Sequence, residues 1–230
     1  DYALTRDTDK KTGHIRVLCL NPAPHLREAT RRLAGCVYYS ATLLPLPAMR
    51  EMLGGETEDA CLNLPSPFPP EHLLALQLPL NTRYDAREAS LAPAADALRA
   101  LFSSHPGKYI AYLPSFAYLH SLLPLLEQAR PALPLLVQRP RMDETERESF
   151  LSAFTADDAP VLGLCVLGGV FAEGVDLPGT ALIGAAVLGV GLPQVNPERE
   201  LYRARMQDAF GDGFAYACQI PGMHRVLQAA

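Results

Sequence analysis

The chain has no Cys-x-x-Cys pair, and no His, Cys or carboxylate set stands at metal-ligand spacing. Its five cysteines, Cys19, Cys36, Cys61, Cys165 and Cys218, are dispersed. That excludes a zinc ribbon or a disulfide framework and fits free thiols in a reducing compartment, so the expected localisation is cytoplasmic. Cys165 and Cys218 fall inside apolar runs and read as buried thiols. No apolar run is long enough to span a bilayer and no leader pattern opens the chain, so no membrane partner is expected. Positive charge is not in excess: 20 Lys and Arg stand against 25 Asp and Glu, a formal net charge of −5. This balance weighs against a broad phosphate-binding surface, although a local Arg patch remains compatible with it. What is present is 230 residues, 49% hydrophobic and 20% charged, enough for one large core or two modest ones. The first residues, Asp-Tyr-Ala-Leu, and the last, Gln-Ala-Ala, read as the ends of a piece of something longer.

Local patterns give the organisation. Ile15 to Leu20 predicts a short strand, Leu26 to Leu33 a helix and Cys36 to Thr42 a second strand. From Glu56 to Glu71 the chain is acidic and then proline-rich, which suits neither a helix nor a central strand and predicts a linker. Beyond it strands and helices alternate. Leu74 to Leu80, Lys108 to Leu113, Leu135 to Gln138, Val161 to Leu167, Ala181 to Leu188 and Phe214 to Ile220 read as strands. Helices are expected over Asp85 to Phe102, from a Ser115 cap to about Ala129, from an Asp143 cap with Glu146 at the third helical position to Phe154, and over Pro197 to Phe210. Strands separated by helices of this length make parallel βαβ units, so the fold class is α/β. The runs from Val161 and Ala181 are apolar throughout, as central strands buried on both faces are. Ligands on such sheets bind at the carboxyl ends of the strands, here the loops after Leu113, Leu167, Leu188 and Ile220.

One of those loops stands out. Gly169-Val170-Phe171-Ala172-Glu173-Gly174-Val175-Asp176-Leu177-Pro178-Gly179 joins two apolar runs and carries two acids in an otherwise uncharged neighbourhood. Glycines there permit close approach of backbone to a ligand. His120 and His224 have no metal-ligand neighbours and read as surface or packing residues. Arg225 reads as a solvated helix residue.

Several segments in order resemble the motifs of superfamily 2 helicases, in the form of the XPD/DinG-like branch. Val37-Tyr38-Tyr39-Ser40-Ala41-Thr42-Leu43 is similar to the Ser-Ala-Thr motif, and Ser66-Pro67-Phe68 to a Ser-Pro-Phe that comes after it in that branch. Tyr109 to Phe116 resembles motif IV, the Glu173-Gly174-Val175-Asp176 loop motif V, and Gly189 to Pro193 the segment after it. Pro221 to Ala230 resembles the approach to motif VI, whose Gly-Arg and second Arg would come after the last residue here. The resemblance implies a RecA-like parallel sheet flanked by helices. Residues 1–55 would be the tail of a first motor domain, 56–71 a linker and 72–230 a second motor domain short of its end.

The resemblance also implies roles. Ser40, Thr42, Glu173 and Asp176 would couple nucleotide to DNA across two motor domains. Gly174, Asp176 and Gln228 would face the nucleotide, and Ser115, Phe116 and Gly169 the DNA track. The plainer readings are strand-end caps for Ser40 and Thr42, a helix cap and a core aromatic for Ser115 and Phe116, and turn-capping acids for Glu173 and Asp176. ATP and Mg2+ are the implied cofactors, single-stranded DNA and the first motor domain the implied partners. Movement from five-prime to three-prime and work in DNA repair or replication are implied by the same likeness. In many members four cysteines hold an iron–sulfur cluster; these would lie upstream, and none of the five here stands in for them.

The departures are as informative. There is no Gly-x-x-x-x-Gly-Lys-[Ser/Thr] loop and no Asp-Glu-x-His, so the phosphate cradle and the metal ligand of phosphoryl transfer are missing from these residues. By itself this stretch is expected to be inactive, as part of an ATP-dependent helicase whose whole chain is the enzyme. The alternative from another class is a stand-alone α/β module whose glycine loop holds a small phosphorylated ligand or a protein partner. A strand at Tyr38 to Thr42 without its parent sheet is also expected to offer an edge to a second copy.

Overall fold

After residue 86, helix-length segments alternate with short apolar runs, and in the computed structural model that alternation becomes a parallel sheet. The structure describes residues 2–7, 14–172, 175, 177–193 and 195–229. In chain order the elements are β1 (Tyr2–Asp7), β2 (His14–Cys19), α1 (Ala23–Thr30), α2 (Leu46–Met52), α3 (Arg87–Ser104), β3 (Lys108–Leu113), α4 (Phe116–Glu127), β4 (Leu135–Val137), α5 (Glu144–Ser152), β5 (Val161–Val166), β6 (Gly184–Val187), α6 (Pro197–Phe210) and α7 (Ile220–Ala229). They fall into two compact units, Asp1–Ala75 with Leu192–His224, and Leu76–Gly191 with Arg225–Ala230.

The second unit is built on the strand order β4-β5-β3-β6, with every pairing parallel. All six residues of β3 are buried. Side chains alternate across a strand, and the two faces recruit different layers. Tyr109, Ala111 and Leu113 pack with Ala94, Leu98 and Phe102 of α3 and Leu119, Leu122 and Leu126 of α4. Ile110 and Tyr112 pack with Phe150 of α5, Phe154, Phe171 and the end of α7, where Val226 and Ala229 sit. The result is a sheet with helices on both faces, the arrangement expected of buried parallel strands.

Lys108 opens β3 although it is only 5% exposed. Its ammonium donates to the Phe154 carbonyl at 2.8 Å and to the Asp157 carbonyl, so the charge is hydrogen-bonded where it is buried. Helix starts obey the sequence. The Ser115 hydroxyl oxygen accepts from the Tyr118 amide, and Asp143 and Glu146 form a reciprocal capping box.

The first unit holds an antiparallel pair, β1 with β2, together with α1, α2, α6 and the start of α7. Its small core joins Ala48, Met206 and Tyr216 with Met52, Tyr202 and Phe210. The Tyr216 hydroxyl donates to Glu51 at 2.7 Å, and the Arg27 Nε donates to the Gly54 carbonyl at 2.9 Å.

Six expectations need correction. Cys36 to Thr42 and Leu74 to Leu80 form no strand, because β-rich composition without a partner leaves backbone groups unpaired and water-bound. The edge expected at Tyr38 to Thr42 is therefore not a strand edge; Val37 and Tyr39 are instead exposed side chains on irregular backbone. Phe214 to Ile220 is helical, with a π-turn over Ala215–Gln219 leading into α7. There Asp212 Oδ1 accepts from the Ala215 amide, a cap that outweighs the strand-like apolar run. The loop after Ile220 accordingly does not belong to a sheet edge. The run from Ala181 forms an outer strand: a 3-10 turn takes Gly179–Ala181, and only Gly184–Val187 pair, on one side. The hairpin strand Tyr2–Asp7 is an addition to the predicted elements.

Phe154 is fully buried against Phe150, at a ring separation of 5.9 Å. Phe154→Ala is expected to cost about 3–5 kcal/mol and Asp143→Ala about 0.5–2 kcal/mol. Urea unfolding monitored by circular dichroism checks both, as shifted midpoints at unchanged slope.

Candidate functional site

The carboxyl edge of the second unit's sheet is set by where three adjacent strands stop. β3 ends in Leu113-Pro114-Ser115, and backbone bonds carry the pairing one residue further on each side. The Leu167 amide donates to the Leu113 carbonyl at 2.8 Å, and the Leu188 amide to the Tyr112 carbonyl at 2.9 Å. Beyond β4 the Gln138 amide donates to Leu164, and the Gln138 Oε1 accepts from the Val166 amide at 2.7 Å. A buried side chain thus adds a rung to the ladder after the backbone of β4 has left it.

The chain turns sharply after β5. Gly168 sits at φ +72, in the left-handed region that favours glycine. The Gly169 amide then donates to the Val166 carbonyl and the Ala172 amide to the Gly169 carbonyl, at 2.9 and 3.0 Å. Phe171 is buried, stacks on Phe150 at 4.2 Å, and its carbonyl accepts from the Tyr112 hydroxyl at 2.9 Å. Burial, with a smaller contribution from the Cys165 thiol, pushes the Tyr112 phenol up to about 12, and burial also pushes the Cys165 thiol up. The phenol is a fixed donor holding the loop, and the thiol is unreactive at neutral pH.

Ser115 and Phe116 lie at the end of β3 and Gly169 at the end of β5, two adjacent strands, so these three share one edge. Ser115 is half-buried and caps α4. Phe116 is half-buried and, among the described residues, belongs to neither core cluster. Gln228 is exposed on α7. Ser40 and Thr42 lie in the first unit, where Ser40 is exposed and Thr42 buried. Their hydroxyls are 3.4 Å apart, and Ser40 Oγ accepts from the Thr42 amide. Glu173, Gly174 and Asp176 lie outside the described residues. Among the described residues no three His, Cys, Asp or Glu side chains converge on a metal position, and no helix is long and apolar enough to cross a membrane.

Three residues at this edge carry roles that their local sequence does not announce. Tyr112 and Gln138 look like ordinary strand residues, because the bonds they make are long-range and leave no local pattern. Arg225, expected to be solvated, uses its Nη1 to donate to the Gly191 carbonyl at 2.8 Å. Its immediate neighbours, His224 and Val226, give no sign of that bond, whose acceptor lies 34 positions away.

Comparison with known proteins supplies a family. A family model described as "Helicase C-terminal domain" matches residues 98–230. No curated protein sequence matches the chain. Two solved structures, titled "XPD_APO" and "XPD_Helicase", each share its fold at a TM-score of 0.52 and 19% identity over 65% of this chain. The chain spans only 30% and 26% of their lengths.

The geometry of this edge yields two expected outcomes. Gln138→Leu leaves the Val166 amide unpaired, and is expected to cost about 1–3 kcal/mol and to speed exchange of that amide. The raised Tyr112 phenol makes stability fall with alkali. An unfolded phenol ionises near pH 10 while the folded one keeps its proton to about 12, so its contribution is intact below pH 10 and lost as pH rises through 12. Tyr112→Phe should flatten that decline in a pH series of urea midpoints.

Proposed function

The chain belongs to the helicase C-terminal domain family, and we propose that it acts as the second motor domain of an ATP-dependent helicase moving on single-stranded DNA. The observation that carries the reading is the family match over residues 98–230, which spans the whole sheet and its carboxyl edge. In this reading residues 1–55 are the tail of the first motor domain and 56–71 a linker. Residues 72–230 form the second motor domain. The dispersed free thiols suit work in the cytoplasm.

The roles are assigned by position. Ser115, Phe116 and Gly169 form part of the DNA track. The amides of exposed Gly168 and Val170 make no hydrogen bond among the described residues, which leaves them for phosphate oxygens in a sequence-independent contact. Ser40, Thr42, Glu173 and Asp176 couple the two motor domains, and Gly174, Asp176 and Gln228 face the nucleotide.

The fit to ATP and Mg2+ is that of one wall. The amides of Leu167, Gly169 and Ala172 are spent on carbonyls, so this turn is no complete phosphate cradle. The cradle and the metal ligand fall to the first motor domain. When bound, ATP supplies the phosphoryl transfer that drives movement. An iron–sulfur cluster, as found in many XPD/DinG-like members, would be held outside these residues.

The test is ATP hydrolysis by the full-length protein with and without single-stranded DNA, beside Asp176→Ala. DNA is expected to stimulate the wild type, and the variant to lose about tenfold of that stimulation. A wild type that hydrolyses nothing under either condition overturns the reading and favours the small phosphorylated ligand.

A further inference from the structure

We infer that Arg225 is a positioning residue that ties the loop after β5 to the segment after β6 and so makes both move with α7; its coupling role rests on the motor reading above. In the sheet β5 and β6 are not neighbours. Each pairs with β3, one on either side, so their carboxyl ends stand about 10 Å apart. Only a long side chain can bridge the two segments beyond those ends. Arg225 Nη1 donates to the Gly191 carbonyl beyond β6 at 2.8 Å. On the other side its stem and Nε lie against Gly168 beyond β5, where an added Cβ would come within 3.0 Å of Cδ and 2.9 Å of Nε. At Gly191 an added Cβ would stand 3.3 Å from the same Cδ. The stem therefore runs between two backbones that are both bare.

The helix that carries this arginine is itself anchored. Val226 and Ala229 pack into the core with Tyr112 and Phe171. Phe171 belongs to the turn that begins at Gly168, so α7 meets that turn twice, through apolar packing and through the guanidinium. Gln228 lies three residues beyond Arg225, a spacing that places both on neighbouring positions of one helix surface. A displacement of the loop after β5 is then handed to Gln228 without crossing the sheet. Lysine is an incomplete substitute: its ammonium reaches the Gly191 carbonyl but lacks the planar group that lies along Gly168.

The experiment compares R225A, R225K and R225M in the full-length protein by hydrogen–deuterium exchange and by ATP hydrolysis with and without single-stranded DNA. In R225A, exchange of the amides of 168–172 and 189–192 is expected to rise together by about fivefold or more, with R225K intermediate. Hydrolysis without DNA should stay within about twofold, while stimulation by DNA falls about tenfold. Should R225A fail to fold, R225M keeps the stem, loses the bond to Gly191, and is read on the same two measures. Exchange that rises in α7 alone, or in neither loop, overturns the tie. Loosened loops with undiminished DNA stimulation overturn the coupling role. A wild type inactive with and without DNA overturns the motor reading and this role with it, a result distinct from a stimulated wild type matched by its variants.

Discussion

The second unit depends on the register of β3. This strand is paired on both sides and buried throughout, so a slip of one residue would exchange Tyr109, Ala111 and Leu113 with Ile110 and Tyr112 between two differently shaped cores. Lys108 opposes such a slip from the amino end, since its buried ammonium is satisfied only where the Phe154 and Asp157 carbonyls meet it. At the other end the last carbonyls of β3 receive the amides of Leu167 and Leu188. One strand therefore sets the height at which both flanking loops begin. The edge that carries the proposed chemistry inherits its geometry from a lysine at the far end.

Much of this unit is legible in the sequence, and the reasons are local. Ser115 and the pair Asp143 and Glu146 announce helix starts through bonds made within one turn, and β3 and β5 are apolar because both of their faces are covered. The misleading signals are also local. Phe214 to Ile220 is an apolar run of strand length, but the Asp212 cap begins a helix there. Cys36 to Thr42 has strand composition and no strand to pair with. The apolar run from Ala181 suggests a central position, whereas β6 lies on the outside of the sheet.

The candidate site divides in the same way. Ser115, Phe116 and Gly169 are legible because strand ends are where such folds bind, and the sheet does bring them to one edge. The residues that stiffen the edge are not. Gln138 acts on a strand 28 positions away, Tyr112 on a carbonyl 59 positions away and Arg225 on one 34 positions away. Hydrogen bonds of that sequence separation are set by tertiary packing and leave no periodic trace. Family membership supplies the function class, and these long-range bonds describe how a domain of that class could keep its loops in step.

The loop after β5 is fastened at both of its ends to one core. Phe171 and Ala172 are buried in it on the way in, and Val175 and Leu177 pack against it on the way out. Insertion tolerance depends on whether the affected backbone is free of such anchors. Here two residues separate Ala172 from Val175 and one separates Val175 from Leu177. A residue added or deleted there changes the spacing of side chains seated in one and the same core, whereas most surface loops change length at little cost.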